Sequence, residues 1–283
     1  MIHSQRKTLF NNSSVCYYTL TLFCRPSLTM YVYLYDSFLK QKKYDNTMKA
    51  VETRLTDFGI AGKIIRLQNF SNAEAIVEEE SKRGATTFII VGNDATFGQV
   101  LSRAASCPTL FGFLPIGPDN SIAGVLGIPV GVEGCDVLAR RRKVKLDLGW
   151  FNNRYFVSRL HIPPSIISVE YDEKFKVTGR NNNKMELVVC NLQPFVWEGR
   201  GQKTVTVHPQ DGKLEACIRP IIGKKIISYI YDDPSVFPFE EMVVASRTPF
   251  VVEADGKQSK ETKIHIRLAK KRLEMIVGKE RQF

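Results

Sequence analysis

The sequence predicts an α/β domain followed by an all-β domain. Strands and helices alternate from residue 30 to about residue 134, and short strand-like runs separated by turns replace them beyond it. Alternation of this kind favours a parallel sheet with helices on both faces and right-handed crossovers. Many short strands with turn signals are typical of a β-sandwich. We therefore expect an α/β domain at 30–134, a β-sandwich domain at 135–283 and a ligand cleft between them.

The first domain is predicted from apolar spacing and from the glycines that end its helices. Apolar residues three and four apart indicate helices, and Gly59, Gly84 and Gly127 close them. Asn72 is a candidate cap for the second helix. The expected elements are a strand at 30–35, a helix at 48–58, a strand at 63–67, a helix at 72–83, a strand at 87–91, a helix to about 106, a strand at 110–114 and a short helix at 121–126.

Composition indicates an ordinary globular protein with an anionic partner. The 283 residues are 43% hydrophobic and 24% charged, and the formal net charge is +11. Such a charge favours nucleotide phosphates, nucleic acid or an acidic membrane surface. The six cysteines and four histidines are scattered. They predict neither a zinc site nor a disulfide framework, and reduced thiols in a cytoplasmic protein are the simplest interpretation.

Residues 1–29 are predicted to be a disordered or mis-called extension. They contain three basic residues, no acidic one and a mildly apolar run at 15–24. A small-residue cleavage site is missing, and the run is too short to span a bilayer. The residue pattern changes at Met30, where the first predicted strand begins. Met30 is therefore expected to be the natural start of the protein.

Two turns follow buried strands and are candidate ligand sites. The first is Gly92-Asn93-Asp94-Ala95-Thr96, and the second is Pro115-Ile116-Gly117-Pro118-Asp119-Asn120. In open α/β sheets, ligands bind at the carboxyl ends of strands, and helix-terminal N–H groups hold phosphates there. The structural alternative for the first turn is a helix N-cap at Asp94 or Thr96. For Asn120 it is an asparagine bonded to its own loop.

These turns resemble those of the diacylglycerol kinase and sphingosine kinase family of lipid kinases. Residues 92–96 are similar to the family's Gly-Gly-Asp-Gly-Thr turn, which the wider nicotinamide-dinucleotide kinase superfamily shares. Residues 115–121 resemble Pro-x-Gly-Thr-Gly-Asn-Asp, and 126–129 resemble Leu-Gly-Ile-Pro. The first turn keeps its first Gly, its Asp and its Thr. The second keeps its Pro, its first Gly and its Asn.

The resemblance continues into the predicted β domain. Residues 145–149 with Phe156 resemble the family's entry strands, and 211–215 resemble its Asp-Gly-x-Leu-Asp turn. Residues 254–257 resemble its C-terminal Asp-Gly-Glu motif, with Lys257 in place of Glu. The matches run in the family's order across most of 30–279.

The resemblance implies an ATP- and Mg²⁺-dependent kinase that transfers the γ-phosphoryl group to a lipid hydroxyl such as that of diacylglycerol. It places the catalytic role at Asp255 and the metal at Asp94. The residues that it implies for nucleotide binding are Gly92, Asn93, Asp94, Ala95, Thr96, Gly117 and Asn120. The structural alternative for Asp255 is the two-residue Asp-Gly hairpin turn.

Four of the departures from the family's pattern bear on its chemistry. Ala95 replaces a glycine, and a left-handed conformation there would cost about 1 kcal/mol. Pro118 removes a backbone donor, and Asp119 adds a carboxylate near the expected phosphates. Lys257 cannot act as a carboxylate base. A kinase-like protein that binds nucleotide or lipid but transfers phosphate poorly is therefore one alternative, and a kinase of a soluble acceptor such as a dinucleotide is another.

Basic clusters at 140–143 and 270–272 fit an anionic membrane surface, and a solvated basic surface is the alternative. No nucleic-acid-binding motif is recognisable, so no nucleic-acid partner is expected. The expected location is the cytoplasm, with peripheral attachment at the inner membrane surface.

Overall fold

A computed structural model describes residues 30–172, 175–179, 183–199, 201–226 and 228–283. The expectation for residues 1–29 lies outside this described part of the chain. Four cysteines of the described part, Cys107, Cys135, Cys190 and Cys217, are buried free thiols. No helix in the described ranges is long and apolar enough to cross a membrane.

The first sheet has six strands in the order β2-β1-β3-β4-β19-β5. All neighbours are parallel except the last pair, in which β5 runs antiparallel to β19. The strands are β1 (Met30–Asp36), β2 (Lys63–Leu67), β3 (Ala85–Gly92), β4 (Leu110–Pro115), β5 (Lys143–Leu146) and β19 (Leu273–Ile276). The predicted parallel sheet is therefore confirmed.

Within the described residues, five helices accompany this sheet, and two short 3-10 turns, Ser37–Lys40 and Lys42–Tyr44, follow β1. Side chains of α2 and α3 pack with one face of the sheet, and those of α1 and α5 pack with the other. Both faces are thus covered, as predicted. The helices are α1 (Asp45–Asp57), α2 (Ala73–Lys82), α3 (Asp94–Ala104), α4 (Ser121–Val125) and α5 (Gly134–Arg140).

Sheet membership extends beyond residue 134. Strands β5 and β19 both lie in the first sheet, so the C-terminal part of the chain returns to the α/β domain beside β4. Both segments lie within 135–283, the range predicted for the β domain. A short strand carries no signal for which sheet it joins, because the pairing partner lies far away in sequence. Helix α5 was also missed, since its seven residues are too few for an apolar period to show.

The second domain is built around one 11-stranded, antiparallel sheet. Its main path runs β15-β14-β11-β8-β17-β18-β6-β7, and the β12–β13 hairpin stands apart as a two-stranded sheet. The predicted order of an α/β domain followed by an all-β domain is confirmed. The strands are β6 (Gly149–Phe151), β7 (Arg154–Phe156), β8 (Arg159–Ser165), β9 (Ser168–Tyr171), β10 (Phe175–Thr178), β11 (Met185–Cys190), β12 (Val196–Gly199), β13 (Gly201–Thr204), β14 (Leu214–Lys224), β15 (Tyr229–Tyr231), β16 (Ser235–Phe239), β17 (Glu241–Ala254) and β18 (Lys257–Leu268).

Two features of this fold position the candidate site. Strands β3 and β4 are parallel neighbours, and Gly92 lies opposite Pro115 at their carboxyl ends. The turns that follow them therefore lie side by side. The tip of the β17–β18 hairpin packs against α3, where Asp255 lies next to Gly98.

Candidate active site

The turn after β3 is closed by its own hydrogen bonds. The Asn93 side chain accepts from the backbone N–H of Thr96 (3.1 Å), and the Thr96 hydroxyl accepts from the backbone N–H of Asn93 (3.2 Å). This reciprocal capping box begins α3. Asn93 is therefore the N-cap, and the assignment of that role to Asp94 or Thr96 was wrong. An asparagine side chain can accept from the third residue of the helix, which explains why it fits here.

The backbone of this turn carries no left-handed residue. Asn93 has φ −109°, and Ala95 lies inside α3. The expected cost of a left-handed Ala95 therefore does not arise, because the turn enters the helix directly. Gly92 is needed for a different reason: a Cβ there would overlap the Thr96 hydroxyl. That hydroxyl also donates to the buried Asp36 carboxylate at 2.6 Å.

Asp94 joins the two turns. Its carboxylate accepts from the Ser121 hydroxyl at 2.7 Å and from the backbone N–H of Ile122 at 3.2 Å. Its own backbone N–H donates to the carbonyl of Asp119 at 3.0 Å. Burial raises the pKa of Asp94, and the nearby Asp119 charge raises it further, whereas the Ser121 and Ile122 hydrogen bonds lower it. The carboxylate thus caps the start of α4, and it also lines a cleft.

The turn after β4 places a non-glycine residue in the left-handed region. Asp119 has φ +60°, at the position where the resembled family has a glycine. Aspartate tolerates this region better than most residues do, at a cost on the order of 1 kcal/mol. Gly117, at φ +99°, packs against the ring of Phe38. The Asn120 amide donates to the Gly117 carbonyl at 2.7 Å, so the expected bond of Asn120 within its own loop is present.

Several donors of these turns have no acceptor among the described residues. They are the backbone N–H groups of Ala95, Gly117, Asp119 and Asn120. The side-chain oxygen of Asn120 is buried and also lacks a partner there. Unpaired backbone N–H groups at the start of a helix or in a turn are suited to hold phosphate oxygens.

Asp255 lies in the tight turn of the β17–β18 hairpin, between the paired residues Ala254 and Lys257. Asp255 and Gly256 both have positive φ, +48° and +75°, as the predicted Asp-Gly hairpin turn requires. The Asp255 carboxylate is buried and accepts from the backbone N–H groups of Val157 (2.8 Å) and Ser158 (3.0 Å), and from the Ser158 hydroxyl. Burial raises its pKa, and these bonds oppose that effect.

A polar cleft of about 530 Å³ lies between the α/β domain and the β domain. The turn after β3 lines it with Asp94 and Ala95, the turn after β4 with Asp119, and the hairpin with Asp255. Gln193 donates to the Ser121 hydroxyl at 2.8 Å and so ties the β domain to α4. The cleft brings together Asp94, Ala95 and Asp255 of the predicted site. Gly92 and Thr96 are buried below the turn instead.

Sequence reasoning missed several residues that line this cleft. They are Arg159, His161, Gln193 and Glu253. The His161 imidazole contacts the Glu186 carboxylate (Nε2–Oε1, 2.9 Å), and Glu186 also accepts from Arg219 at 2.8 Å. Burial acts to raise the pKa of Glu186, but the His161 and Arg219 contacts outweigh it and lower that pKa. Only the alternation of β8 hinted that residues 159 and 161 share a face.

The motif at 211–215 is held by Asp147, which also pairs with Arg272. The Asp147 carboxylate accepts from the backbone N–H of Gly212 (2.8 Å) and pairs with Arg272 (2.8 Å). Gly212 has φ +80°, which explains the glycine of the motif. Glu215 is buried, and its Oε2 atom has no partner in the described residues. Burial, followed by the charge of Asp211, raises the pKa of Glu215 to about 7.

The residues fit a metal ion that arrives with a nucleotide rather than a ligand cage built by the protein. Within the described ranges, no three His, Cys, Asp or Glu side chains are placed to hold a metal. Asp94 and Asp119 face the same cleft and offer two carboxylates. Mg²⁺ is commonly bound by one or two carboxylates together with substrate phosphates, so this donor set suits it.

Fold and cleft together define a two-domain protein whose candidate site lies between an α/β domain and an antiparallel β domain. Comparison with known proteins relates part of the chain to a known family. The model of the diacylglycerol kinase catalytic domain matches residues 32–151. The match covers less than half of the chain, and over that segment the resemblance drawn from the motifs is confirmed.

Curated relatives support this assignment over part of their length. A diacylglycerol kinase of Staphylococcus haemolyticus (strain JCSC1435) is 26% identical over 128 residues, which cover 44% of this chain and 39% of that protein. One of Staphylococcus carnosus (strain TM300) is 30% identical over 105 residues, which cover 35% and 34%. The matched region thus spans well under half the length of these relatives.

A solved structure matches almost the whole fold. The crystal structure of a diacylglycerol kinase from Bacillus anthracis str. Sterne superposes with a TM-score of 0.70 at 15% identity, covering 89% of this chain and 98% of that one. A second structure, of a putative diacylglycerol kinase from the same strain, gives 0.70 at 14% identity, covering 88% and 97%. At such identities the likeness establishes the shared two-domain fold.

Proposed function

We propose that the chain is an ATP- and Mg²⁺-dependent lipid kinase that phosphorylates a hydroxyl group such as that of diacylglycerol. One observation carries the proposal: the segments that resemble the family's phosphate turn and its C-terminal acidic motif, far apart in sequence, line the same interdomain cleft. The family match of residues 32–151 supports the same reaction class.

The nucleotide phosphates would bind where the turns after β3 and β4 meet. The unpaired N–H groups of Ala95, Gly117 and Asp119 are the donors that we assign to them. The carboxylates of Asp94 and Asp119 would repel a bare triphosphate, so these two residues would hold the Mg²⁺ that accompanies it. The ion supplies charge neutralisation for the transferred phosphoryl group.

The proton of the attacking hydroxyl needs an acceptor. The family resemblance assigns this role to Asp255, which lines the cleft. Its two oxygens already accept hydrogen bonds from residues 157 and 158, which makes it a rigid group. His161 is a second candidate, because it also lines the cleft and Glu186 orients its ring through Nε2. A base that is oriented by a third group is a common arrangement for activating a hydroxyl.

A nucleotide- or lipid-binding protein with impaired transfer is the second candidate function. Two specific observations favour it: the Asp255 carboxylate already accepts from three donors, and Lys257, at the position of the family's glutamate, lines a different cavity. A soluble acceptor such as a dinucleotide is a further alternative, which a transfer assay with both acceptors separates.

A lipid acceptor requires contact with a membrane surface. The predicted basic clusters are partly engaged inside the protein, since Arg141 donates to Tyr31 (2.7 Å) and Arg272 pairs with Asp147. The β14–β15 hairpin offers a better surface: Ile226 at its tip is 97% exposed, and Ile222 and Ile230 are exposed as well. Lys224 and Lys225 lie beside them. Exposed apolar side chains next to lysines suit an anionic bilayer interface.

The first test is nucleotide binding by the full chain. MgATP is expected to raise the melting temperature, because a ligand that binds only the folded state stabilises it by mass action. Asp94→Ala should abolish the rise, whereas Lys260→Gln, which changes an exposed residue of β18 outside the cleft, should leave it intact. A chain that shows no shift with MgATP would overturn the proposed nucleotide site.

The proposed membrane contact of the β14–β15 hairpin is tested by sedimentation with phosphatidylglycerol vesicles. Ile226→Ser should weaken the binding of the chain to these vesicles.

A further inference from the structure

A second, smaller cavity of about 200 Å³ lies away from the proposed nucleotide cleft. Its lining includes Ser102 and Arg103 of α3, Ser106 just beyond the end of that helix, Asn153 and Arg154 at the β6–β7 turn, Lys257 at the start of β18 and Glu74 of α2. None of these residues lines the larger cleft.

The cavity concentrates positive charge. Arg103, Arg154 and Lys257 come from separate elements, and no carboxylate of the described residues lies within 4.0 Å of their charged nitrogens. Burial lowers the pKa of Lys257, and the charges of Arg103 and Arg154 lower it further. Three like charges near one another repel, and a bound anion would relieve this repulsion.

The remaining groups of the cavity are compatible with an oxyanion. Hydroxyl donors are present in Ser102 and Ser106. The single acidic side chain of the lining, Glu74, is already engaged as the acceptor of the Ser106 hydroxyl at 2.8 Å. Lys271 donates to the carbonyl of Ser106 at 3.0 Å, which brings a fourth cation close to the cavity.

We propose that this cavity binds a phosphate group through Arg103, Arg154 and Lys257, separately from the nucleotide. Arginine guanidinium groups suit phosphate because their planar forks donate two parallel hydrogen bonds, and lysine adds a point charge. The group is either inorganic phosphate or the monoester headgroup of an acidic lipid such as phosphatidic acid. Asp255 and Lys257 flank Gly256 in one hairpin, so the anion would bind on the same hairpin that contributes Asp255 to the cleft.

The test uses the full chain without nucleotide, so that its outcome does not depend on the proposed kinase activity. Melting temperature is followed with sodium phosphate in one arm and with dihexanoyl phosphatidic acid below its micellar concentration in the other. Sodium chloride keeps the ionic strength constant, because salt screens exposed charges. The double variant Arg154→Gln/Lys257→Gln is compared with Lys260→Gln, which removes a cation on β18 that does not line the cavity.

We expect the wild-type chain and the Lys260→Gln variant to be stabilised equally by at least one of the two ligands. The double variant should bind that ligand at least about tenfold more weakly, since each lost charged hydrogen bond weakens binding by roughly that factor. A response to inorganic phosphate identifies a free-phosphate site, and a response to the lipid alone identifies a headgroup site. Absence of any shift in the wild-type chain, or an equal shift in the double variant, would overturn the proposal.

Discussion

The Ser121 hydroxyl donates a 2.7 Å hydrogen bond to the Asp94 carboxylate and so joins the turns that follow β3 and β4. The same carboxylate accepts from the backbone of Ile122 at the start of α4. The aspartate that the family resemblance assigns to the metal is therefore also the group that holds the two turns together. Substitutions at Asp94 should consequently change stability as well as ligand binding.

Asp94→Ala and Ser121→Ala should both weaken the connection between the two turns. Ser121→Ala removes one donor and should lower the free energy of unfolding by about 1 kcal/mol. Asp94→Ala also leaves the first N–H groups of α4 uncapped and should cost about 1–2 kcal/mol. Urea denaturation measures both changes. Equal stability of Asp94→Ala and wild type would show that the carboxylate does not join the turns.

Gly98→Ala should destabilise the protein even though alanine favours helices. An added Cβ would lie 2.8 Å from the Asp255 Cβ, so either α3 or the hairpin must move. Overpacking of this kind costs roughly 1–3 kcal/mol. Gly124→Ala in α4 is the matched control, because a Cβ there has no atom within 4 Å. Thermal unfolding should show a loss for Gly98→Ala alone, and a loss of the same size in both variants would refute the close approach.

Sequence predicted the fold well because the α/β part follows local patterns. Apolar runs and glycines gave β1–β4 and α1–α4 nearly at their observed bounds. The placement of β19 beside β4 could not be predicted, since it depends on a pairing between segments more than 150 residues apart in sequence. The turn at Asn93 shows the same limit at the site: its residues suggested a strained phosphate turn, whereas the capping box removes the strain. The environment of Asp255 depends on residues 157 and 158, which no spacing rule connects to it.

Stability should depend on pH through Glu215. Burial raises its folded pKa to about 7 from the ordinary 4.5, so the folded state favours the protonated carboxyl. The protonated Glu215 carboxyl therefore contributes to the free energy of unfolding in full below about pH 4.5, and this contribution is lost as the pH rises through 7. The loss should be on the order of 1–3 kcal/mol in the free energy of unfolding. Urea denaturation from pH 4.5 to 8 measures it, and Glu215→Gln should flatten the curve. An unchanged slope in that variant would exclude Glu215 as the cause.

Asp255→Asn and His161→Gln should distinguish the two candidate proton acceptors. Asp255→Asn turns an amide group toward the donors of residues 157 and 158, and should cost about 1–3 kcal/mol of stability whichever residue takes the proton. Loss of the true acceptor should slow transfer about 10²–10⁴-fold. If His161 is the acceptor, His161→Gln will show that loss while its MgATP-induced melting shift stays at the wild-type value. A wild-type rate of phosphoryl transfer in His161→Gln would exclude His161 and leave Asp255 as the proton acceptor.

The most direct measurement of the central claim is phosphoryl transfer by the full chain. The chain is incubated with γ-labelled ATP, Mg²⁺ and diacylglycerol in mixed micelles, and a dinucleotide acceptor is supplied in a parallel reaction. We predict Mg²⁺-dependent label in the lipid product alone, abolished by Asp94→Ala and retained by Lys260→Gln. Label in the dinucleotide, or MgATP binding without label in the lipid, would contradict the assignment as a lipid kinase.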